Sequence, residues 1–240
     1  MISVRTKLYF SMENLILQQF FVFTFSERHD KMCSYLYFSF LRGQTMDSNF
    51  FALISRMRYI ARWGLMRNAL PENIQEHSHM VAVLAHALGV IRRDIFHQPC
   101  DVNALATAAL YHDASEILTG DLPTPIKYYN PEIKSAYKQI EAVSCEKLLA
   151  LPPELRATYA DVLAEDKDGD IYPLVKAADK LSAYIKCIEE RKAGNNEFLS
   201  AEAQTRAALE ASPLPEVQYF LEHFIPAFER DLDELGAIGQ

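Results

Sequence analysis

The sequence predicts an all-α fold from Met46 onward, and two observations support that prediction. Apolar residues recur mainly at helical spacing, three or four positions apart. No run of alternating β-branched residues indicates a convincing strand. Half of the 240 residues are hydrophobic, so the chain can bury a substantial core. We therefore expect a single helical bundle of about seven to nine helices over residues 46–240.

Residues 1–45 differ from the rest of the chain. They contain five Lys or Arg and three Asp or Glu, whereas the whole chain has 24 and 32. The apolar segment 15–25 is broken by two glutamines and is shorter than the ~20 residues of a membrane helix. No signal-peptide cleavage pattern follows it. We expect residues 1–45 to be an extraneous or disordered leader, with translation starting at Met46.

The first two helices precede and follow a break. A short helix is expected from Ser48 or Asn49 to about Met57, and Arg62-Trp63-Gly64 then interrupts the pattern. Asn73, with a Glu three residues later, resembles a capping box and predicts the start of the second helix. The expected inward stripe of that helix consists of His77, Val81, Leu84, Leu88, Ile91 and Ile95.

The third helix is expected to begin at Asp101 and to end with His112-Asp113. The following segment 119–125 contains a Gly and two Pro, which predicts a loop rather than a helix. Asn130-Pro131 predicts a capped helix that runs to about Ala150. Further helices are expected at 153–164, 171–193, 201–211 and 215–235, the last one kinked at Pro226.

Composition excludes several classes of function. The net charge of -8 argues against coating a nucleic-acid polymer, because such binding depends on clustered Lys and Arg. The four cysteines are scattered without zinc or disulfide spacing, so we expect thiols without chemistry in a reducing cytoplasm. We expect no association with a membrane.

Four side chains could bind a metal ion: His77, His112, Asp113 and Asp179. Imidazole and carboxylate ligands suit a catalytic divalent first-row metal better than structural zinc. Adjacent helical residues point about 100° apart, so the His112-Asp113 pair can share one ion only near a helix end. Asp179 borders an apolar stripe, where a carboxylate is costly unless it is paired or metal-bound.

This pattern resembles the HD superfamily of metal-dependent phosphohydrolases. The resemblance is most specific to the bacterial 5′-deoxynucleotidases of the YfbR family and covers nearly all of residues 46–240. The segments that carry it are Arg62-Trp63, Glu76-His77-Ser78, the run from Tyr111 to Pro125, Ala178-Asp179, and Ala193-Gly194-Asn195-Asn196-Glu197-Phe198.

The resemblance implies hydrolysis of deoxyribonucleoside 5′-monophosphates to deoxynucleoside and phosphate. It implies one divalent cation, often cobalt or manganese in vitro, bound by His77, His112, Asp113 and Asp179. Glu116 matches a position essential for activity, and it could position or deprotonate water or protonate the leaving oxygen.

The resemblance also implies the substrate contacts. Arg62 offers donors suited to phosphate oxygens, and Trp63 would crowd the 2′ side of the sugar. The matching substrate loop consists of Asp121, Leu122, Pro123 and Thr124, and His77 and Asp179 would border the substrate as well as the metal. Relatives imply a homodimer.

Two alternatives remain open at this point. One is an HD enzyme acting on nucleoside triphosphates or cyclic nucleotides, although no second His-rich ligand set is present. The other is a catalytically inert, nucleotide-sensing helical module, against which the intact ligand set and Glu116 argue.

Overall fold

Helices account for all regular secondary structure in the part of the chain that the structure describes, which confirms the all-α prediction. This computed structural model describes residues 48–127, 129–164 and 169–236. The predicted leader, residues 1–45, and Met46 lie outside the described residues. None of the described helices has the length and apolar character needed to cross a membrane.

The α-helices are numbered in chain order. They are α1 Phe50–Ile54, α2 Ile74–Val90, α3 Val102–Tyr111, α4 Glu116–Thr119, α5 Thr124–Lys127, α6 Pro131–Leu148, α7 Pro153–Leu163, α8 Tyr172–Lys192, α9 Leu199–Glu210, α10 Pro215–His223 and α11 Ile225–Phe228. Turns of 3₁₀-helix follow α1 at Ser55–Tyr59 and precede α9 at Asn196–Phe198, and a π-helical turn, Ile91–Ile95, extends α2.

Three predicted helix starts are confirmed by their caps. The Asn73 side chain accepts hydrogen bonds from the backbone N–H groups of Gln75 and Glu76, each at 3.0 Å. Asp101 caps α3 in the same way, and Asn130 caps α6 with a proline at the first helical position. A side-chain oxygen at this position satisfies amide groups that have no partner within the helix.

The main core lies between α2, α3 and α8, with α9 and α10 closing one side. Side chains of α3 pack directly onto α2 at Gly89, where an added Cβ would lie 2.9 Å from the Cδ2 of Leu105. A larger residue at this position would require the side chain of Leu105 to shift. This close packing matters because α2 carries His77 and α3 ends beside His112.

Three details of the predicted pattern were wrong. Ile95 is exposed rather than inward, because the π-helical turn after Val90 changes the angular spacing of the residues. The predicted loop is shorter than 119–125, because Pro125 occupies the second position of α5, where its missing N–H costs nothing. The last helix breaks next to Pro226, as predicted, but α11 ends at Phe228 instead of 235.

Candidate metal and nucleotide site

His77 projects from the first turns of α2 into the core, where its side chain is fully buried. Its Nε2 lies 3.1 Å from Oδ1 of Asp179 on α8, and its Nδ1 lies 3.2 Å from the Ser182 hydroxyl. In the tautomer with its proton on Nδ1, the ring donates to Ser182 and leaves the Nε2 lone pair available to a cation. Ser182 therefore orients this imidazole for ligand binding.

His112 caps the C-terminus of α3, at the helix end where the sequence placed it. Its Nδ1 lies 2.7 Å from the backbone carbonyl of Ala109, which can only accept a hydrogen bond, so Nδ1 carries the proton. When this ring is neutral, its lone pair is therefore on Nε2. That atom is buried and makes no hydrogen bond of good geometry, although Oδ2 of Asp113 lies 3.2 Å away, and a cation bound by both atoms would satisfy them.

The ligand atoms of His77, His112 and Asp179 lie within 4.8 Å of one another. Oδ2 of Asp113 lies 3.2 Å from Nε2 of His112 and 3.5 Å from Nε2 of His77. Burial raises the pKa of Asp113, but the opposing effect of the two imidazoles and Arg62 is larger, so the pKa lies well below its usual range. The pKa of Asp179 is lowered for a similar reason: burial raises it, and His77 and His112 lower it more. Both carboxylates are therefore anionic.

Arg62 and Trp63 lie in the loop between the first 3₁₀ turn and α2, which we call the Trp63 loop, residues 62–72. An isolated bridge between Ala61 and Asn73 closes its base. The Arg62 guanidinium donates from Nε to Glu72 at 3.1 Å and from Nη1 to Asp113 at 3.3 Å. The indole Nε1 of Trp63 donates to the same Glu72 oxygen at 2.9 Å. The loop thus places the guanidinium of Arg62 and the indole of Trp63 at the edge of the cluster.

Glu116 is the first residue of α4 and is 5% exposed. One of its carboxyl oxygens, Oε2, is buried without a hydrogen-bond partner. Burial, reinforced by the nearby charges of Asp113 and Asp121, raises the pKa of Glu116 to about 9. In the metal-free protein this carboxyl group therefore carries a proton at neutral pH.

The predicted substrate loop is brought to the site only in part. The pKa of Asp121 is raised, because burial, reinforced by Asp113, outweighs the opposing effect of Arg62 and of the backbone N–H of Trp63. Leu122 and Pro123 are half-buried, and Thr124 is exposed at the start of α5. In the described part of the chain, no hydrogen bond joins these last three side chains to the cluster.

Two residues of the site were missed from the sequence. Glu72 precedes the capping Asn73 by one position, and nothing in the local pattern distinguishes it from a surface carboxylate. Ser182 follows Asp179 by three positions, so the helical period could have placed it on the same side of α8. A polar residue within an inward apolar stripe was the available signal.

The donor set suits a divalent cation. Imidazole nitrogens and anionic carboxylate oxygens are common ligands of such ions, and a cation between them would offset the cost of burying the two negative charges. A cavity of about 230 Å³ lies between α3, α7 and α8 and meets the cluster at His112. A helical domain with this His, His-Asp and Asp arrangement defines an HD-type phosphohydrolase.

Comparison with known proteins gives the family. A family model described as 5′-deoxynucleotidase YfbR-like matches residues 49–228. The 5′-deoxynucleotidase YfbR of Shigella boydii is 50% identical over 192 residues, which cover 79% of this chain and 96% of that protein. A 5′-deoxynucleotidase of Vibrio parahaemolyticus is 47% identical, with 79% and 99% covered. The chain belongs to the YfbR-like 5′-deoxynucleotidase family, as its sequence motifs predicted.

Solved structures agree on the fold. An HD-domain phosphohydrolase from Listeria innocua superposes with a TM-score of 0.67 at 25% identity, covering 77% of this chain and 90% of that one. A protein from Pyrococcus horikoshii superposes with a TM-score of 0.57 at 21% identity, covering 76% and 98%, and this likeness concerns the fold alone.

Proposed function

We propose that this chain is a metal-dependent 5′-deoxynucleotidase, which hydrolyses deoxyribonucleoside 5′-monophosphates to deoxynucleoside and phosphate. The observation that carries the proposal is the cluster of His77, His112 and Asp179 in a chain about 50% identical to 5′-deoxynucleotidases. The unpartnered, buried Nε2 of His112 supports a cation at this position rather than a closed network of hydrogen bonds.

The residues that would hold one divalent cation are His77, His112, Asp113 and Asp179. When bound, the cation supplies Lewis-acid polarisation of the phosphate and lowers the pKa of a water molecule. Cobalt and manganese are the ions we propose for assays, because imidazole and carboxylate ligands suit both.

Arg62 is proposed to bind the phosphate. Its guanidinium is held by Glu72 and Asp113 at the border of the cluster, and its pKa is raised: burial lowers it, but Asp113, Asp179 and Glu72 together raise it more. It stays charged at every working pH. A planar, fixed guanidinium can donate two parallel hydrogen bonds to phosphate oxygens.

Glu116 is proposed to act as the general acid. The sequence left three roles open, and the pKa of about 9 favours the role in which the residue carries the proton. The unpartnered Oε2 is the atom from which the proton would pass to the 5′-oxygen as the phosphorus–oxygen bond breaks.

Trp63 is proposed to select deoxyribose over ribose. Its indole is held by Glu72 and by an edge-to-face contact with Phe198, with ring centroids 5.2 Å apart, so it cannot easily move aside for a 2′-hydroxyl. Asp121 is proposed to accept a hydrogen bond from a sugar hydroxyl. Leu122, Pro123 and Thr124 are proposed to form the rim of the substrate site. His77 and Asp179 would border the substrate as well.

We further propose a homodimer that works in the cytoplasm. Membership of the family supports both statements, and light scattering of the purified chain tests the first.

A phosphate-release assay tests the function. Release from dAMP with Mn²⁺ or Co²⁺, little release from AMP, and none with EDTA are the expected results. Release from dATP or a cyclic nucleotide alone would replace the proposal with another HD activity. No release with either metal would favour a nucleotide-sensing module.

A further inference from the structure

One face of α8 links the metal cluster to the Trp63 loop. Asp179 and Glu190 are eleven residues apart, which is close to three helical turns, and Lys186 is seven residues from Asp179, close to two turns. All three side chains therefore project from the same side of the helix. The helix spans about 16 Å between the Cα positions of Asp179 and Glu190.

Glu190 is fully buried and forms hydrogen bonds with the backbone of the Trp63 loop. Its carboxylate accepts hydrogen bonds from the N–H of Ala69 at 2.8 Å and the N–H of Leu70 at 3.0 Å. It also accepts from Asn195 at 2.8 Å. The Lys186 ammonium bridges this carboxylate to the carbonyl of Leu70.

These donors keep the buried carboxylate charged. Burial raises the pKa of Glu190, but Lys186, Asn195 and the two loop N–H groups lower it to about 2. A buried ion pair contributes little net stability compared with apolar residues of similar size. What this pair adds is a fixed position for the loop backbone, since two of its partners are consecutive loop amides.

The segment that follows α8 also supports the Trp63 loop directly. Trp63 has a φ of 58°, a left-handed conformation that is unfavourable in a non-glycine residue and persists only where its surroundings enforce it. Phe198 packs its ring against the indole. Asn195 donates to the carbonyl of Arg67 at 2.7 Å, and Glu197 accepts from the N–H of Arg67 at 3.2 Å.

We propose that Glu190, neutralised by Lys186, is a positioning residue for Trp63 and thereby sets the discrimination between deoxyribose and ribose. The proposal rests on the proposed function of Trp63. Because α8 carries both Asp179 and Glu190, it holds the indole of Trp63 at a fixed distance from the metal cluster. If the hydrogen bonds of Glu190 to the loop are weakened, the indole can move away and leave space for a 2′-hydroxyl.

Glu190→Gln tests the proposal, since it retains the shape of the side chain but removes the charge and one strong acceptor. The ratio of kcat/KM for dAMP to that for AMP is expected to fall about tenfold, the size of effect of one charged hydrogen bond. Trp63 is the only tryptophan of the chain, so its fluorescence reports the loop without an assay of activity. Its emission should move to longer wavelength and be quenched more by acrylamide.

Glu216→Gln is the matched control. Glu216 is also fully buried, on α10, and accepts from Arg92, away from the Trp63 loop. It should lower the melting temperature while leaving the substrate ratio and the tryptophan emission unchanged. Equal changes in both variants would overturn the proposal, because they would indicate general loosening.

Asn195→Ala is the second variant if Glu190→Gln does not fold. It removes the hydrogen bonds to Glu190 and Arg67 and should change the ratio and the emission in the same direction, by less. A folded variant with an unchanged ratio and emission would overturn the proposal. Wild-type protein that fails to hydrolyse dAMP would instead refute the proposed function, and the emission would still test the grip on the loop.

Discussion

The indole of Trp63 and the guanidinium of Arg62 share one acceptor, the Oε2 atom of Glu72. Trp63 Nε1 lies 2.9 Å from it and Arg62 Nε lies 3.1 Å from it. Nη1 of Arg62 also donates a hydrogen bond to Oδ2 of Asp113 at 3.3 Å. A single carboxylate oxygen thus links Trp63, which is proposed to contact the sugar, to Arg62, which is proposed to bind the phosphate and which also contacts the metal cluster.

Glu72→Gln should impair phosphate binding and sugar selection together. The amide retains an acceptor for one donor but loses the charge that holds Arg62, so we expect kcat/KM for dAMP to fall about tenfold. The preference for dAMP over AMP should also narrow. Steady-state kinetics with both substrates provide the measurement.

Glu76→Gln is the control for that variant. Glu76 is exposed in the first turn of α2, four residues after Glu72. Its replacement by Gln is the same chemical change at a position without a hydrogen bond to Arg62 or Trp63. If Glu72→Gln and Glu76→Gln have the same kinetics as the wild-type protein, the shared acceptor has no functional role.

Trp63→Ala should narrow the gap between dAMP and AMP hydrolysis. Removing the indole opens space beside the sugar, so AMP hydrolysis should rise relative to dAMP hydrolysis even if both rates fall. The loss of a half-buried aromatic side chain will also cost stability, so the comparison uses the ratio of the two kcat/KM values. An unchanged ratio would assign Trp63 a packing role alone.

Glu116→Gln should change how the stability of the metal-free protein depends on pH. The pKa of Glu116 is about 9 when folded, against roughly 4.3 for an unperturbed Glu, because burial and two neighbouring carboxylates disfavour the charge. Between these values the folded state binds one more proton than the unfolded state, so stability falls as the pH rises. The neutral amide lacks this contribution.

Melting temperatures in EDTA from pH 5 to pH 8.5 measure that difference. The variant should gain stability relative to the wild-type protein as the pH rises, while turnover of the metal-loaded enzyme falls roughly 10²–10⁴-fold. Glu132→Gln, at an exposed position in the first turn of α6, should follow the wild-type profile. Parallel profiles for wild type and Glu116→Gln would show that Glu116 is charged in the folded state.

His112→Ala should abolish the stabilisation by metal. An ion present at about a hundred times its dissociation constant stabilises the folded state by about 2.7 kcal/mol, or about 5–10 °C in melting temperature for a domain of this size. Thermal unfolding with EDTA or Mn²⁺ measures the shift. His79→Ala, an exposed histidine two residues beyond His77 on α2, should retain it in full. A full shift in His112→Ala would exclude that imidazole as a ligand.

The sequence determined the features that depend on neighbouring residues. Helix starts at Asn73, Asp101 and Asn130 follow from side chains that cap the next few amides, so a local pattern is sufficient. His77 could be assigned to the inward face of its helix, and His112 to the end of the next helix, by the same local period. The motifs around these residues were specific enough to give the family.

Only the tertiary structure decided which distant groups share a proton, a charge or a hydrogen bond. Glu72 became a shared acceptor because the Trp63 loop folds back on itself, and Glu190 reaches that loop from a helix more than a hundred positions away. The raised pKa of Glu116 likewise depends on burial and on charges brought close by packing. Such couplings fall off with distance in space rather than along the chain, so helical periodicity could not reveal them.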